Sequence, residues 1–224
     1  MDQRSPSQQV SEQNVRVPAG RVTLEAIFAV PTGARGIVLF AHGSGSGRFS
    51  PRNNFVARVL QQGGIATLLA DLLTEPEASD RRLVFDIGLL AERLSQITEW
   101  VDQNPATRHM RTGYFGASTG AAAALLVAGE PQARVAAVVS RGGRPDLVMD
   151  QLSKVRAPTL LIVGGDDEPV LSLNRRAFAE LRCQKDLAVI PGATHLFEEP
   201  GALEEVARLA RDWFQRYLEA EPAD

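Results

Sequence analysis

Cysteine is almost missing from this chain: Cys183 is the only one in 224 residues. It has no partner for an internal disulfide, which fits a reducing compartment and leaves the hydrophobic core to hold the fold. Histidine is scarce too, with only His42, His109 and His195, so any search for a catalytic base is short. No apolar run approaches the ~20 residues that span a bilayer. Met1 to Gln13 (MDQRSPSQQVSEQ) lacks the apolar centre of a secretory signal and reads as a loose tail. Neither sign of charge dominates: 24 Lys and Arg stand against 27 Asp and Glu, a net charge of -3. That balance supplies no basic field for nucleic acid and no polybasic membrane patch. A cytoplasmic protein without nucleic-acid or membrane partners is the expectation.

What is present is an alternation of short β-rich runs with helical runs, within a length suited to one domain over residues 14–224. Val15 to Val17 and Val22 to Val30 read as a hairpin across Pro18-Ala19-Gly20. Gly36 to Ala41 is continuously apolar, as a strand covered on both faces must be. A helix from Pro51 to Gln62, a strand from Ile65 to Ala70, a polar loop from Thr74 to Asp80 and an amphipathic run from Val84 to Gln103 follow. Further strands are expected up to Phe115, at Val135 to Ser140, Thr159 to Val163 and Asp186 to Ile190. Helices are expected after the Phe115 strand, at Val170 to Leu181 and at Ala202 to Leu218. This order implies a mostly parallel sheet with an antiparallel N-terminal edge and helices on both faces. Ligands in such sheets bind beyond the carboxyl ends of the strands, which filters every candidate below.

The sharpest motif is Gly116-Ala117-Ser118-Thr119-Gly120, a G-x-S-x-G run between a strand and an alanine-rich helix. In that setting it reads as a nucleophile elbow, with Ser118 at the N-terminus of a helix whose dipole favours developing negative charge. The competing reading is a tight phosphate-binding or packing turn. A serine nucleophile needs a base. His109 precedes its strand and so falls on the wrong edge, where it reads as a surface residue. His42 heads the Gly-rich turn His42 to Gly47 and reads as shaping it, or as touching substrate. His195, in the loop between the last strand and the last helix, is the candidate base.

The base needs a carboxylate to hold its tautomer. Asp166, Asp167 and Glu168 all follow the strand ending at Val163, and their spacing does not choose among them. For the oxyanion, the N–H of Thr119 follows the nucleophile. A second N–H is expected from Ser44, with Gly45 behind it, where glycines let the backbone approach substrate. Arg141 and Arg144 follow the strand ending at Ser140. Either suits a substrate carboxylate, although the favoured reading has Arg141 bracing the loops through Asp71 or Asp146.

Taken together, Leu39 to Gly47, the elbow, Gly164 to Val170 and Ala193-Thr194-His195 resemble the α/β-hydrolase superfamily, and within it the dienelactone-hydrolase-like branch. The likeness runs from about Val15 to the end, with four motifs in the expected order. The family pattern Gly-x-x-Asp-x-x-Val fits Gly164, Asp167 and Val170, which implies Asp167 as the acid and Asp166 as the reserve. One departure matters: the name-giving members use a cysteine nucleophile, whereas this chain has Ser118, and Cys183 is no substitute. Dienelactone itself is therefore not the expected substrate. The resemblance implies an α/β-hydrolase fold with a minimal cap or none, since only one turn of helix is expected between Ser140 and Thr159. It also implies hydrolysis of a small ester or thioester without metal or organic cofactor. Acyl transfer by the same triad, or ligand binding without catalysis, are the alternatives.

Overall fold

The computed structural model of the chain describes residues 9–218. Strands β1 (Val10–Ala19) and β2 (Val22–Pro31) form an opening hairpin, followed by β3 (Gly36–Ala41) and helix α1 (Pro51–Gln62). After β4 (Ala66–Ala70), two single-turn helices, α2 (Glu75–Ala78) and α3 (Arg81–Val84), lead into α4 (Ile87–Gln103). β5 (Arg111–Ala117) runs directly into α5 (Thr119–Ala128), and β6 (Val135–Arg141) into a 3-10 segment (Pro145–Lys154). β7 (Thr159–Gly164), α6 (Glu168–Glu180), β8 (Lys185–Ile190) and α7 (Ala202–Leu218) complete the order.

All eight strands join one sheet in the order β1-β2-β4-β3-β5-β6-β7-β8. β1 and β2 pair antiparallel, β2 joins β4 antiparallel, and every pairing from β4 through β3 to β8 is parallel. Parallel neighbours need crossovers, and these lay helices on both faces. One face packs under α4, α5, the 3-10 segment and α6; the other packs under α1 and α7. β3 and β7 are buried at every position, which explains their unbroken apolar sequences. In α5 the run Thr119 to Leu125 is wholly buried. Its alanines are small enough to let that helix lie close to the sheet, and this brings its N-terminus to the sheet edge.

Three local expectations need correction. Residues 10–13, expected in a loose tail, begin β1 and pair with Phe28 to Pro31. Their contribution is backbone hydrogen bonding while their side chains stay exposed, so no apolar alternation marks them. Residues 1–8 of that tail lie outside the described residues. Thr74 to Asp80 is not plain loop but carries α2, started by a Thr74 N–H to Glu77 carboxylate bond of 2.8 Å. The connection after β6 is longer than one turn, being ten residues of 3-10 helix kinked at Val148. It still inserts no cap domain. Among the described residues no helix is long and apolar enough to cross a membrane.

Candidate active site

Strand register decides which residues meet at the carboxyl edge. Ala41 lies beside Gly116, and Ala117 beside Arg141. His42, Ser118 and Gly142, one residue beyond each strand, therefore share one end of the sheet. Gly164 pairs with Ile190 in the same way, so the loops holding Asp167 and His195 leave from that edge together. His109 is exposed at the opposite edge, ahead of β5, as expected.

Ser118 has φ 51° and ψ -121°, a backbone state that side-chain-bearing residues enter only under constraint. The constraint is visible. A Cβ at Gly120 would stand 2.1 Å from the Ala41 carbonyl oxygen, and one at Gly116 would stand 2.4 Å from Ala121 Cα. The turn closes because neither position has a side chain. It is then pinned to the end of β6: the Ser118 N–H donates to the Arg141 carbonyl (3.3 Å), and the Ser118 carbonyl accepts from the Arg144 N–H (3.1 Å). Thr119 opens α5, where a backbone N–H has no carbonyl partner within the helix.

The His42 to Gly47 turn lies against this elbow, since a Cβ on Gly43 would be 2.9 Å from Ser118 Cβ. The His42 ring is buried and both nitrogens bond to backbone. Nε2 accepts from the Leu72 N–H at 2.9 Å, and Nδ1 donates to the Gly43 carbonyl at 3.0 Å, a tautomer assigned from these partners. His42 thus shapes the turn, with both ring nitrogens committed to backbone groups. Sequence reasoning missed a second clasp on this turn. Asp71 accepts from the Arg48 N–H (2.6 Å) and from its guanidinium, and Asn54 donates to the Arg48 carbonyl (2.7 Å). No local signal pairs residues 48 and 71, whose meeting depends on β3 and β4 being neighbours. Gly45 has φ 71° and open space around it.

Burial holds the His42 imidazolium below its ordinary pKa. The unfolded chain therefore binds this proton more readily than the folded one. Stability from the neutral ring is present above about pH 6.5 and is lost as pH falls toward the lowered value. His42→Gln, which keeps an acceptor for Leu72, is expected to flatten the decline of Tm between about pH 6.5 and 5. Identical pH profiles for the two proteins would remove His42 as the origin.

His195 Nδ1 donates to Asp167 Oδ2 at 2.7 Å. This pair forms because the two loops interlock. The Gly165 N–H donates to the Ile190 carbonyl (2.8 Å), and the Asp166 N–H to the Ala193 carbonyl (3.0 Å). A Cβ on Gly164 would collide with that same carbonyl at 2.3 Å. Asp167 begins α6 yet makes no side-chain cap bond, its carboxylate being turned to His195 instead. The Asp166 and Glu168 side chains are exposed. On its other side the His195 ring lies against Gly142, whose Cβ would be 3.4 Å from Cε1. The loop after β6 thus touches both the Ser118 main chain and the His195 ring. Among the described residues the Ser118 hydroxyl makes no hydrogen bond.

A family model described as "Dienelactone hydrolase family" matches residues 24–220. The chain belongs to the dienelactone hydrolase family. A crystal structure of dienelactone hydrolase from Anabaena variabilis is 57% identical, with a TM-score of 0.91 over 94% of this chain and 99% of that one. Est1E from Butyrivibrio proteoclasticus shares the fold at 15% identity, with a TM-score of 0.78 over 91% and 98% of the two chains. Proteins from two strains of Mycobacterium tuberculosis, provisionally named phosphoribosyl transferases, are 58% identical over 207 residues. That is 92% of this chain but 47% of theirs, so the chain spans about half the length of those relatives. Family and fold are those of ester hydrolases.

As a member of the dienelactone hydrolase family with serine at the elbow, the chain has no thiol near that position. Cys183 is half-buried before β8, donates to Thr159 Oγ1 at 3.7 Å, and burial raises its pKa. The arginines are arranged differently from expectation. Arg144, not Arg141, pairs with Asp146, through two 2.8 Å hydrogen bonds, and Arg48 takes Asp71. The bracing role expected of Arg141 is therefore filled by its neighbours. Large apolar side chains are exposed at Phe49 after β3, at Leu147 in the 3-10 segment and at Leu196 next to His195. Beside the His42 turn opens a cavity of about 390 Å³, with His42, Ser46, Arg48, Leu73 and Thr74 in its wall.

Proposed function

We propose that this chain is a serine hydrolase that cleaves small carboxylic esters or thioesters through an acyl-enzyme on Ser118. The observation that carries the reading is the 2.7 Å His195–Asp167 bond formed on the same sheet edge as a serine at positive φ. With Nδ1–H donated to Asp167, His195 presents Nε2 as a proton acceptor. The Ser118 hydroxyl attacks the acyl carbon as Nε2 takes its proton, and the carbonyl oxygen becomes an oxyanion held by the N–H groups of Thr119 and Ser44. The imidazolium then protonates the leaving alkoxide or thiolate. Water, deprotonated by the same nitrogen, cleaves the acyl-enzyme and restores the serine proton. Asp167 stabilises the imidazolium in both halves without accepting its proton. The chemistry uses no metal or organic cofactor.

Leu196, exposed next to His195, supports a substrate with an apolar acyl or alkyl portion. The transferase name of the mycobacterial relatives belongs to longer proteins. This chain covers 47% of them, and the residues gathered here are those of acyl chemistry. Labelling with a fluorophosphonate probe, followed by peptide mass spectrometry, tests the proposal without a known substrate. A label on Ser118 in the wild type, lost in His195→Ala, is expected. An unlabelled Ser118 in folded protein would reject the acyl-enzyme.

A further inference from the structure

We propose that Arg141, together with Arg52, forms a binding site for one oxyanion beneath the His195 loop. Arg141 ends β6, and strand alternation sets it on the face of Ala137 and Val139, which pack with α1 and α7. Its side chain is only 9% exposed, and its Nε and Nη1 are buried without a hydrogen-bond partner. Among the described residues no carboxylate pairs with it. The charge that acts on it is a like one, Arg52 on the first turn of α1. Burial and this repulsion together bring the Arg141 pKa down to about 10, so the cation is held at neutral pH against its surroundings.

Arg52 adds to the same field. Its Nη1 reaches Glu198 at 3.2 Å, on the loop that carries His195, while its Nε is buried and unpartnered. The first turn of α1 contains no acidic residue to meet its helix dipole. Two guanidinium groups thus lie near a helix N-terminus, and among the described residues the one carboxylate bonded to either is Glu198, on Arg52, which leaves Arg141 without a counter-ion. Buried charges are retained where a counter-ion completes them. The planar fork of arginine selects oxyanions, a carboxylate or a phosphate, over a spherical halide. The Arg141 carbonyl accepts from the Ser118 N–H, and the next residue, Gly142, lies against the His195 ring. The main chain of Arg141 thus adjoins the proposed chemistry, and the anion held by its side chain is either a free ion or a charged substituent of the substrate.

Thermal unfolding in inorganic phosphate, against potassium chloride of equal ionic strength, tests the site whether or not Ser118 forms an acyl-enzyme. At about five times Kd, phosphate is expected to raise Tm by about 2–4 °C beyond chloride. Arg141→Gln is expected to abolish that increment and to raise Tm in phosphate-free buffer, because it removes an unpaired buried charge. Arg52→Gln, at the exposed end of the site, is expected to weaken phosphate binding roughly tenfold. No excess over chloride in the wild type would overturn the proposal, as would an undiminished increment in Arg141→Gln. If Arg141→Gln does not fold, an unchanged phosphate midpoint in Arg52→Gln would overturn it instead. Phosphate inhibition of p-nitrophenyl acetate cleavage then separates the sources. A raised KM at constant kcat supports the site as the seat of a substrate's anionic group, and binding without effect on kcat/KM supports it as a free-ion site.

Discussion

Ser118→Ala is expected to lower kcat on an activated ester by on the order of 10⁶-fold, the loss seen when the nucleophile of such a unit is removed. The fold should survive, because the Ser118 hydroxyl makes no hydrogen bond among the described residues. A companion variant sharpens the test. Ser118→Gly removes the side chain from a backbone held at φ 51°, where a non-glycine residue costs about 1–3 kcal/mol. The added freedom of the unfolded glycine costs about 0.5–1 kcal/mol. The balance favours glycine, so this variant is expected to be inactive and to melt about 2–4 °C higher per kcal/mol gained. Turnover close to wild type in Ser118→Ala would end the nucleophile assignment. A lower Tm in Ser118→Gly would show instead that the elbow is unstrained.

Gly120→Ala is expected to be strongly damaging for the addition of one methyl group. The new Cβ would stand 2.1 Å from the Ala41 carbonyl oxygen and 2.5 Å from that of His42. Both are backbone atoms, one fixed in the sheet and the other in the turn locked by the His42 ring. No flexible side chain can yield, so α5 must move away from β3 and take the elbow with it. A cost of about 3–5 kcal/mol is expected, a fall in Tm of about 10 °C or more, with activity lost in step. Gly45→Ala provides the contrast. Nothing stands within 4 Å of its Cβ, and only its φ of 71° opposes the change, so a loss of about 1 kcal/mol is expected. Equal, small shifts in both variants would refute the packing argument.

Much of this was legible along the chain because its causes are local. An unbroken apolar run such as Gly36–Ala41 can only be a strand covered on both faces, and β3 is buried throughout. The elbow could be read because a strand, two glycines around a serine and an alanine-rich helix are sequence neighbours. With three histidines in the chain, placing each relative to a strand end is enough to put His195 at the carboxyl edge of the sheet and His109 at the opposite one. The start of β1 was not legible, because Ser11, Glu12 and Gln13 join the sheet through backbone alone.

The arginines failed for a different reason. From sequence, Arg141 and Asp146 lie as naturally together as Arg144 and Asp146, yet a fork two residues away closes on that carboxylate and Arg141 is buried without it. The choice among Asp166, Asp167 and Glu168 was likewise beyond residue spacing, although family resemblance pointed to Asp167. Composition and periodicity determined the kind and order of the elements and the edge on which the motifs fall, because propensity and steric closure act over a few residues. Only the tertiary structure decided which carboxylate faces His195 and which guanidinium is left without a partner. Those outcomes depend on the Ala117–Arg141 register and on the Gly164–Ala193 contact, which join residues that local physics cannot bring together.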